Sequence, residues 1–237
     1  MTALLLLTVV GVVTYIFEIV FGLAGTILLL TALTWLYDVK TLVIYSTLPQ
    51  VLVAGIGLVR SPRTVRLPEL AGMLGFAAVG LLLGLYLFYH IETALFQRLL
   101  ASVITLFGVW LVVAPGRLRL SPAQGRGLDL LAGVSQALFG ISGPVAMTRL
   151  MASHRDKTVV RNYALAFFLP LNLFRAAGYV LNGTLTTTVV EMMLFSAPAL
   201  AVALWYGNRL HFHVNEALFR KTVAWVILLG GLSLFFR

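Results

Sequence analysis

Three blocks of this sequence recur in the same order about half a chain later, and that duplication limits the fold more than any single motif does. Phe21, Gly22, Gly25 and Asp38 reappear 118 positions on as Phe139, Gly140, Gly143 and Asp156, while Pro49 and Gly57 reappear 121 positions on as Pro170 and Gly178. The densest block carries Gly84, Leu87, His90, Ala94, Leu95, Phe96, Ala101 and Gly108, matched at a spacing of 123 by Gly207, Leu210, His213, Ala217, Leu218, Phe219, Ala224 and Gly231. The spacing grows in small steps that fall between apolar segments, as insertions between elements of a duplicated unit do. We read residues 1–116 as one repeat and 117–237 as the other. Duplicated units are a usual way to build a transporter.

The material of the repeats is made for lipid. Hydrophobic residues make up 60% of the chain and charged ones only 11%, against about a quarter charged in a soluble domain. The apolar runs cover 3–37, 41–59, 68–89, 96–115, 127–152, 158–180, 185–206 and 219–236. Most approach the roughly 20 residues that a helix needs to cross about 30 Å of hydrocarbon. A backbone in lipid must satisfy its own hydrogen bonds, and runs of this length read as helices rather than barrel strands. The first run lacks a basic leader and continues into the repeat, so it is not expected to be a cleaved signal peptide. The expected fold is an all-α polytopic membrane protein with seven to eight hydrophobic segments, set in the cell inner membrane or plasma membrane.

The formal charge of +9 sits in short loops, which is the positive-inside signal and not the basic, aromatic surface of a nucleic-acid binder. There is no cysteine, and the four histidines show no metal-ligand spacing, so neither a metal nor a cofactor is expected. Arg60, Arg63 and Arg66 mark one loop as cytoplasmic, and Arg117, Arg119 and Arg126 mark another two spans later. His154, Arg155, Lys157 and Arg161 also read as cytoplasmic, yet only the 127–152 run separates them from the previous inside loop. A single crossing would put them outside. The run is therefore expected to enter the membrane, break near Phe139 to Pro144, and return to the same side. Gly140 and Gly143 permit a tight backbone, and Pro144 suits the first turn of a new helix. Carried to the first half, this makes 3–37 a second broken pair and the repeats inverted, each with one broken pair and three spans. A tilted crossing helix followed by a short separate one is the other reading of 3–37.

A broken helix exposes unpaired amides and about half a positive charge at its N-terminus, which favours an anion. Gly22, Gly25 and Thr26 in one half, with Gly140, Ser142 and Gly143 in the other, are the candidate binding residues; close helix packing is the alternative use of such small residues. Gln50, beside Pro49, and Asn172, beside Pro170, add amide donors. Arg175 is a further candidate, either compensating an anion in a pore or snorkelling outward. Arg161 stands one turn inside the basic loop, placed for lipid phosphate or for recruiting substrate from the cytoplasm. Glu18 lies three residues before the first break, and its repeat counterpart is the neutral Gln136. A carboxylate in an apolar run must be protonated or paired, which makes Glu18 the proton-coupling candidate.

These segments resemble the sulfite exporter TauE/SafE family, also called the 4-toluene sulfonate uptake permease family. The likeness rests on Phe139-Gly140-Ile141-Ser142-Gly143-Pro144, on Lys157 and Arg161, on Arg175, Gly178, Tyr179 and Gly183, and on Pro198 and Gly207. The first half adds Phe21-Gly22-Leu23-Ala24-Gly25 and Asp38, without the richer glycine runs that many members carry at both breaks. The resemblance implies a secondary transporter of small sulfur-containing anions of the sulfite, sulfonate or sulfoacetate type, working as an exporter and coupled to protons. An anion channel of the same architecture and a non-transporting membrane scaffold are the alternatives. No enzyme is expected, because no nucleophile is paired with a base and no phosphate-binding loop is present.

Overall fold

A computed structural model describes residues 2–21, 24–59, 64–113 and 120–210, together with positions 225, 228, 229, 231 and 232. The last predicted span, 219–236, lies almost wholly outside these residues, as do Gly22, Arg60, Arg63, Arg117 and Arg119. The described residues form ten helices. They are α1 (Thr2–Phe21), α2 (Gly25–Leu33), α3 (Val39–Tyr45), α4 (Thr47–Val59), α5 (Leu67–His90), α6 (Thr93–Val113), α7 (Pro122–Phe139), α8 (Gly143–Ser153), α9 (Lys157–Leu181) and α10 (Thr187–Leu210).

Among the described residues, six segments are long and apolar enough to cross a membrane: Thr2–Val20, Val39–Val59, Leu67–His90, Thr93–Trp110, Thr158–Leu181 and Thr187–Arg209. Their outward faces are greasy at helical spacing, as with Val79, Leu82, Leu83 and Tyr86 on α5 and Leu5, Leu6, Val9 and Val13 on α1. Such a face belongs against lipid. The crossing Val39–Val59 is α3 and α4 joined through a hitch at Ser46. The 127–152 run is broken as expected, α7 closing at Phe139 and α8 opening at Gly143. The first run breaks too, although α1 by itself has crossing length and α2 is only 9 residues long. Sequence reading placed some ends differently. His90 closes α5, one residue beyond the 68–89 run, and Arg126 falls inside α7 rather than in a loop, the helix start being moved back to Pro122 by a capping box between Ser121 and Gln124.

The halves pack by exchange. α1 lies along α10, and α7 lies along α5. The second contact is backbone to backbone, because a Cβ on Gly80 would run into the Leu130 carbonyl and one on Gly133 into the Ala77 carbonyl. Small residues are what let membrane helices approach this closely. The paired glycines Gly84 and Gly207 meet corresponding neighbours: Gly84 faces Val134 and Ala137, and Gly207 faces Ile16 and Ile19. Helix starts correspond as well. Asp38 caps α3 by accepting from Thr41 N–H at 3.0 Å, and Asp156 caps α9 by accepting from Thr158 N–H at 2.7 Å.

Candidate functional site

The two breaks are built by different means. In the first, Ala24 takes a left-handed φ of 81° to start α2, a conformation that strains any residue with a Cβ. Gly25 follows because nothing larger fits: a Cβ there would lie 2.5 Å from Glu18 Oε2 and 2.8 Å from the Thr14 carbonyl. Glu18 thereby reaches the start of α2 and accepts the Thr26 N–H at 3.2 Å. Its carboxylate sits where the helix dipole favours a negative charge. In the second break, Gly140 closes α7 with φ +67° and donates its N–H to Gln136 O at 2.9 Å. A Cβ on Gly140 would lie 2.6 Å from Arg175 Nη1. Ser142 then precedes α8, with Pro144 in its first turn.

Both breaks open onto one cavity. Its polar lining is Glu18, Thr26, Gln50, Gln136, Ser142 and Asn172, with Gly140 and Gly143 giving backbone and Leu165 and Phe168 an apolar wall. Apart from Glu18, which is partly exposed to the cavity, these polar side chains are all buried. They are joined in one network. Gln136 Nε2 donates to Gln50 Oε1 at 2.6 Å and to Asn172 Oδ1 at 2.7 Å, while Ser142 Oγ donates to Gln136 Oε1 at 2.5 Å. Gln50 Nε2 donates to the Gly140 carbonyl at 2.6 Å and to Thr26 Oγ1. Tyr15 Oη lies 3.0 Å from the same Thr26 hydroxyl. The amide hydrogens of Gln136 and Gln50 and the Ser142 hydroxyl are spent within this network, so what the cavity turns toward a small anion without rearrangement is the partial positive charge of the α8 N-terminus.

Arg175 stands behind the cavity rather than in its lining, and it is 0% exposed. Each nitrogen of its guanidinium donates. Nε gives to Thr47 Oγ1 at 3.1 Å, Nη1 to the Gln136 carbonyl at 2.9 Å, and Nη2 to Ser46 Oγ at 2.9 Å and the Val43 carbonyl at 3.2 Å. One side chain therefore ties the hitch between α3 and α4 to the end of α7. A planar fork of donors suits that work better than a point charge. Arg161, four residues before Leu165 on α9, is partly buried and donates to Asn208 Oδ1 and, at 3.4 Å, to the Ile19 carbonyl near the end of α1. Each broken pair thus has a carbonyl near the end of its first helix held by an arginine of α9.

The cavity therefore gathers Glu18, Thr26, Gln50, Gly140, Ser142, Gly143 and Asn172 from among the residues singled out in the sequence. Gly25 packs against Glu18 next to it, Arg175 and Arg161 stand outside its lining, and Gly22 lies outside the described residues. The residue missing from the sequence-based set is Gln136. Its position opposite Glu18 in the repeat was the signal that pointed to it. No group of three or more His, Cys, Asp or Glu side chains that would hold a metal occurs among the described residues.

A family model described as Sulfite exporter TauE/SafE matches residues 7–234. No curated protein and no solved structure matches the chain.

Proposed function

The chain belongs to the sulfite exporter TauE/SafE family, and from that premise we propose that it exports small sulfur-containing anions, of the sulfite, sulfonate or sulfoacetate type, together with protons. The family is one of transporters, and the fold is that of a multi-pass membrane protein with no need of enzymatic chemistry. The observation that carries the proposal is the one cavity onto which both helix breaks open, lined by buried neutral polar side chains and one carboxylate.

The substrate anion sits at the α8 N-terminus, against Ser142, Gly143 and the backbone of Gly140, within reach of Gln50, Gln136 and Asn172. Thr26 and Gly25 form the opposite wall. Glu18 carries the proton. Its ionised carboxylate holds the α2 N-terminus when the cavity is empty, and repulsion between two negative charges in a low-dielectric site favours its protonation when the anion enters. Arg175 acts by holding Gln136 and Gly140 in place, and Arg161 draws anions toward the cavity from the cytoplasm. Leu165 and Phe168 lie on the same face of α9 between Arg161 and Asn172, and they close the path between recruitment and binding.

Residues 1–116 and 117–237 form two repeats of inverted topology. The exchange of α1 and α7 between partners α10 and α5, and the matching neighbours of Gly84 and Gly207, support a two-fold relation. The reversal of basic loops between the halves supports an axis in the membrane plane. The membrane is the cell inner membrane or plasma membrane.

Flux of methanesulfonate or sulfite into proteoliposomes tests the function. Saturable flux that responds to an imposed proton gradient is the expected result. Non-saturating flux indifferent to the gradient identifies a channel, and no flux across a panel of small anions identifies a scaffold.

A further inference from the structure

The two helices of the second break are tied together, away from the cavity, by a buried charge pair. Asp129 of α7 is 3% exposed, and its Oδ2 lies 3.6 Å from Arg149 Nε on α8. The other oxygen, Oδ1, has no hydrogen-bond partner among the described residues, so Arg149 is the group that compensates this carboxylate. The sequence makes room for the contact. Gly125 stands one turn before Asp129, and a Cβ there would lie 2.8 Å from Arg149 Nε. Arg149 Nη1 also donates to Ser153 Oγ, which steadies the side chain from its own helix.

The pair joins the two limbs of a hairpin whose apex is at the cavity. From Asp129 to Phe139 α7 runs about 15 Å, and from Gly143 to Arg149 α8 runs about 9 Å. Gly140, Ile141 and Ser142 join the limbs at the apex. Fixing one further point on each limb sets the angle between them, and with it where the α8 N-terminus points. That terminus is the part of the cavity that attracts an anion. Neither Asp129 nor Arg149 lines the cavity. The first hairpin has no counterpart of this pair. The positions 118 residues earlier are Gly11 and Thr31, and the α2 N-terminus there is already met by Glu18.

We propose that Asp129 and Arg149 are positioning residues for the anion, holding the α8 N-terminus at the depth and angle at which it meets the substrate. A buried ion pair adds little net stability over apolar residues of the same shape. What this one adds is a fixed register between the limbs. The inference rests on the cavity being the anion site.

Asp129→Asn tests it, because two readings of the pair give opposite signs. Removing a negative charge with the geometry unchanged tightens anion binding, whereas releasing the hairpin weakens it. Calorimetric titration of the detergent-purified full chain with methanesulfonate should show Asp129→Asn binding about tenfold more weakly than the wild type, within what a helix terminus contributes to a partly buried charge. Arg149→Lys keeps a cation for Asp129 and should bind as the wild type does. Gly125→Ala keeps both charges and displaces only the flexible Arg149 side chain, so it reports even if Asp129→Asn fails to fold; it should bind more weakly than Gly127→Ala, whose methyl meets open space. Equal or tighter binding by Asp129→Asn overturns the inference and leaves the anion site standing. So does equal binding by the two glycine variants, or a loss in Arg149→Lys as large as that in Asp129→Asn. No binding of methanesulfonate by the wild type overturns the anion site and the inference with it.

Discussion

Gln136 Nε2 lies 2.6 Å from Gln50 Oε1, and this bond crosses from the second half of the chain to the first at the wall of the cavity. On the same side chain, Oε1 accepts from Ser142 at the start of α8, and its backbone carbonyl accepts from Arg175. The position is therefore fixed from three directions. Glu18 stands 118 positions earlier in the sequence and uses its carboxylate on the Thr26 amide instead. The two positions, 118 residues apart in the sequence, thus carry a carboxylate in one case and an amide in the other.

Gly140 is held by two independent constraints, its φ of +67° and the 2.6 Å approach of Arg175 Nη1 to the place of a Cβ. Gly183 has a similar φ of +65° with open space around it. Gly183→Ala should cost only the left-handed strain, about 1–2 kcal/mol. Gly140→Ala should cost more, because the guanidinium must also move. Thermal unfolding of the two variants in detergent checks the order, and equal losses would remove the packing argument.

Arg175→Ala should lower anion affinity more than Arg161→Ala, because it frees the end of α7 on which Gln136 and Gly140 depend. Arg175→Lys should restore little. An ammonium keeps the charge but not the fork that reaches Thr47, Ser46 and the Gln136 carbonyl together. Calorimetric titration with methanesulfonate decides. Recovery of wild-type affinity in Arg175→Lys would show that charge alone matters.

Much of this site is legible in the sequence, because breaking a helix inside lipid requires conspicuous residues. Gly140, Gly143 and Pro144 announce the second break, and the polar side chains closest to the breaks, Thr26 and Ser142, face the cavity as any polar group at that depth must. Gln50 and Asn172 follow for the same reason, each set beside a helix proline. The role of Arg175 is not legible. Spacing shows an arginine in an apolar helix, but its acceptors lie across the fold on Val43, Ser46 and Thr47, beside a hitch that no glycine marks. Gln136 is hidden differently. Read along the chain it is a polar residue on a helix, and only packing against Gln50 and Asn172 makes it the junction. The backbone contact of Gly80 and Gly133 is likewise invisible until α5 and α7 are side by side.

That contact leads to a prediction about packing. Gly133→Ala would drive a methyl into the Ala77 carbonyl, with the Leu81 amide nitrogen only 2.9 Å from the same point. Backbone cannot rotate away as a side chain can, and overpacking of this kind costs about 1–3 kcal/mol. Gly127→Ala, on the same helix in open space, is the control and should be neutral or slightly stabilising, since alanine favours a helix. Similar unfolding temperatures for the two variants would contradict the tight α5 and α7 interface.

Anion binding should weaken as pH rises. The ionised form of Glu18 competes with the anion, so binding is favoured at pH values where the carboxylate takes up a proton and lost where it stays ionised. Glu18→Gln fixes the neutral state. The variant should bind methanesulfonate with an affinity that does not change with pH, while the wild type loses affinity as pH rises. Parallel pH profiles for the two proteins would detach Glu18 from the binding equilibrium.

The most direct test of the whole account is gradient-driven accumulation of methanesulfonate in proteoliposomes, wild type against Glu18→Gln, with substrate at equal concentration on both sides and a proton gradient imposed. The account predicts that the wild type accumulates anion in the direction of proton flow. Glu18→Gln should bind the anion and equilibrate it across the membrane without accumulating it. Undiminished gradient-driven accumulation by Glu18→Gln would contradict the claim that this cavity couples its anion to a proton on Glu18.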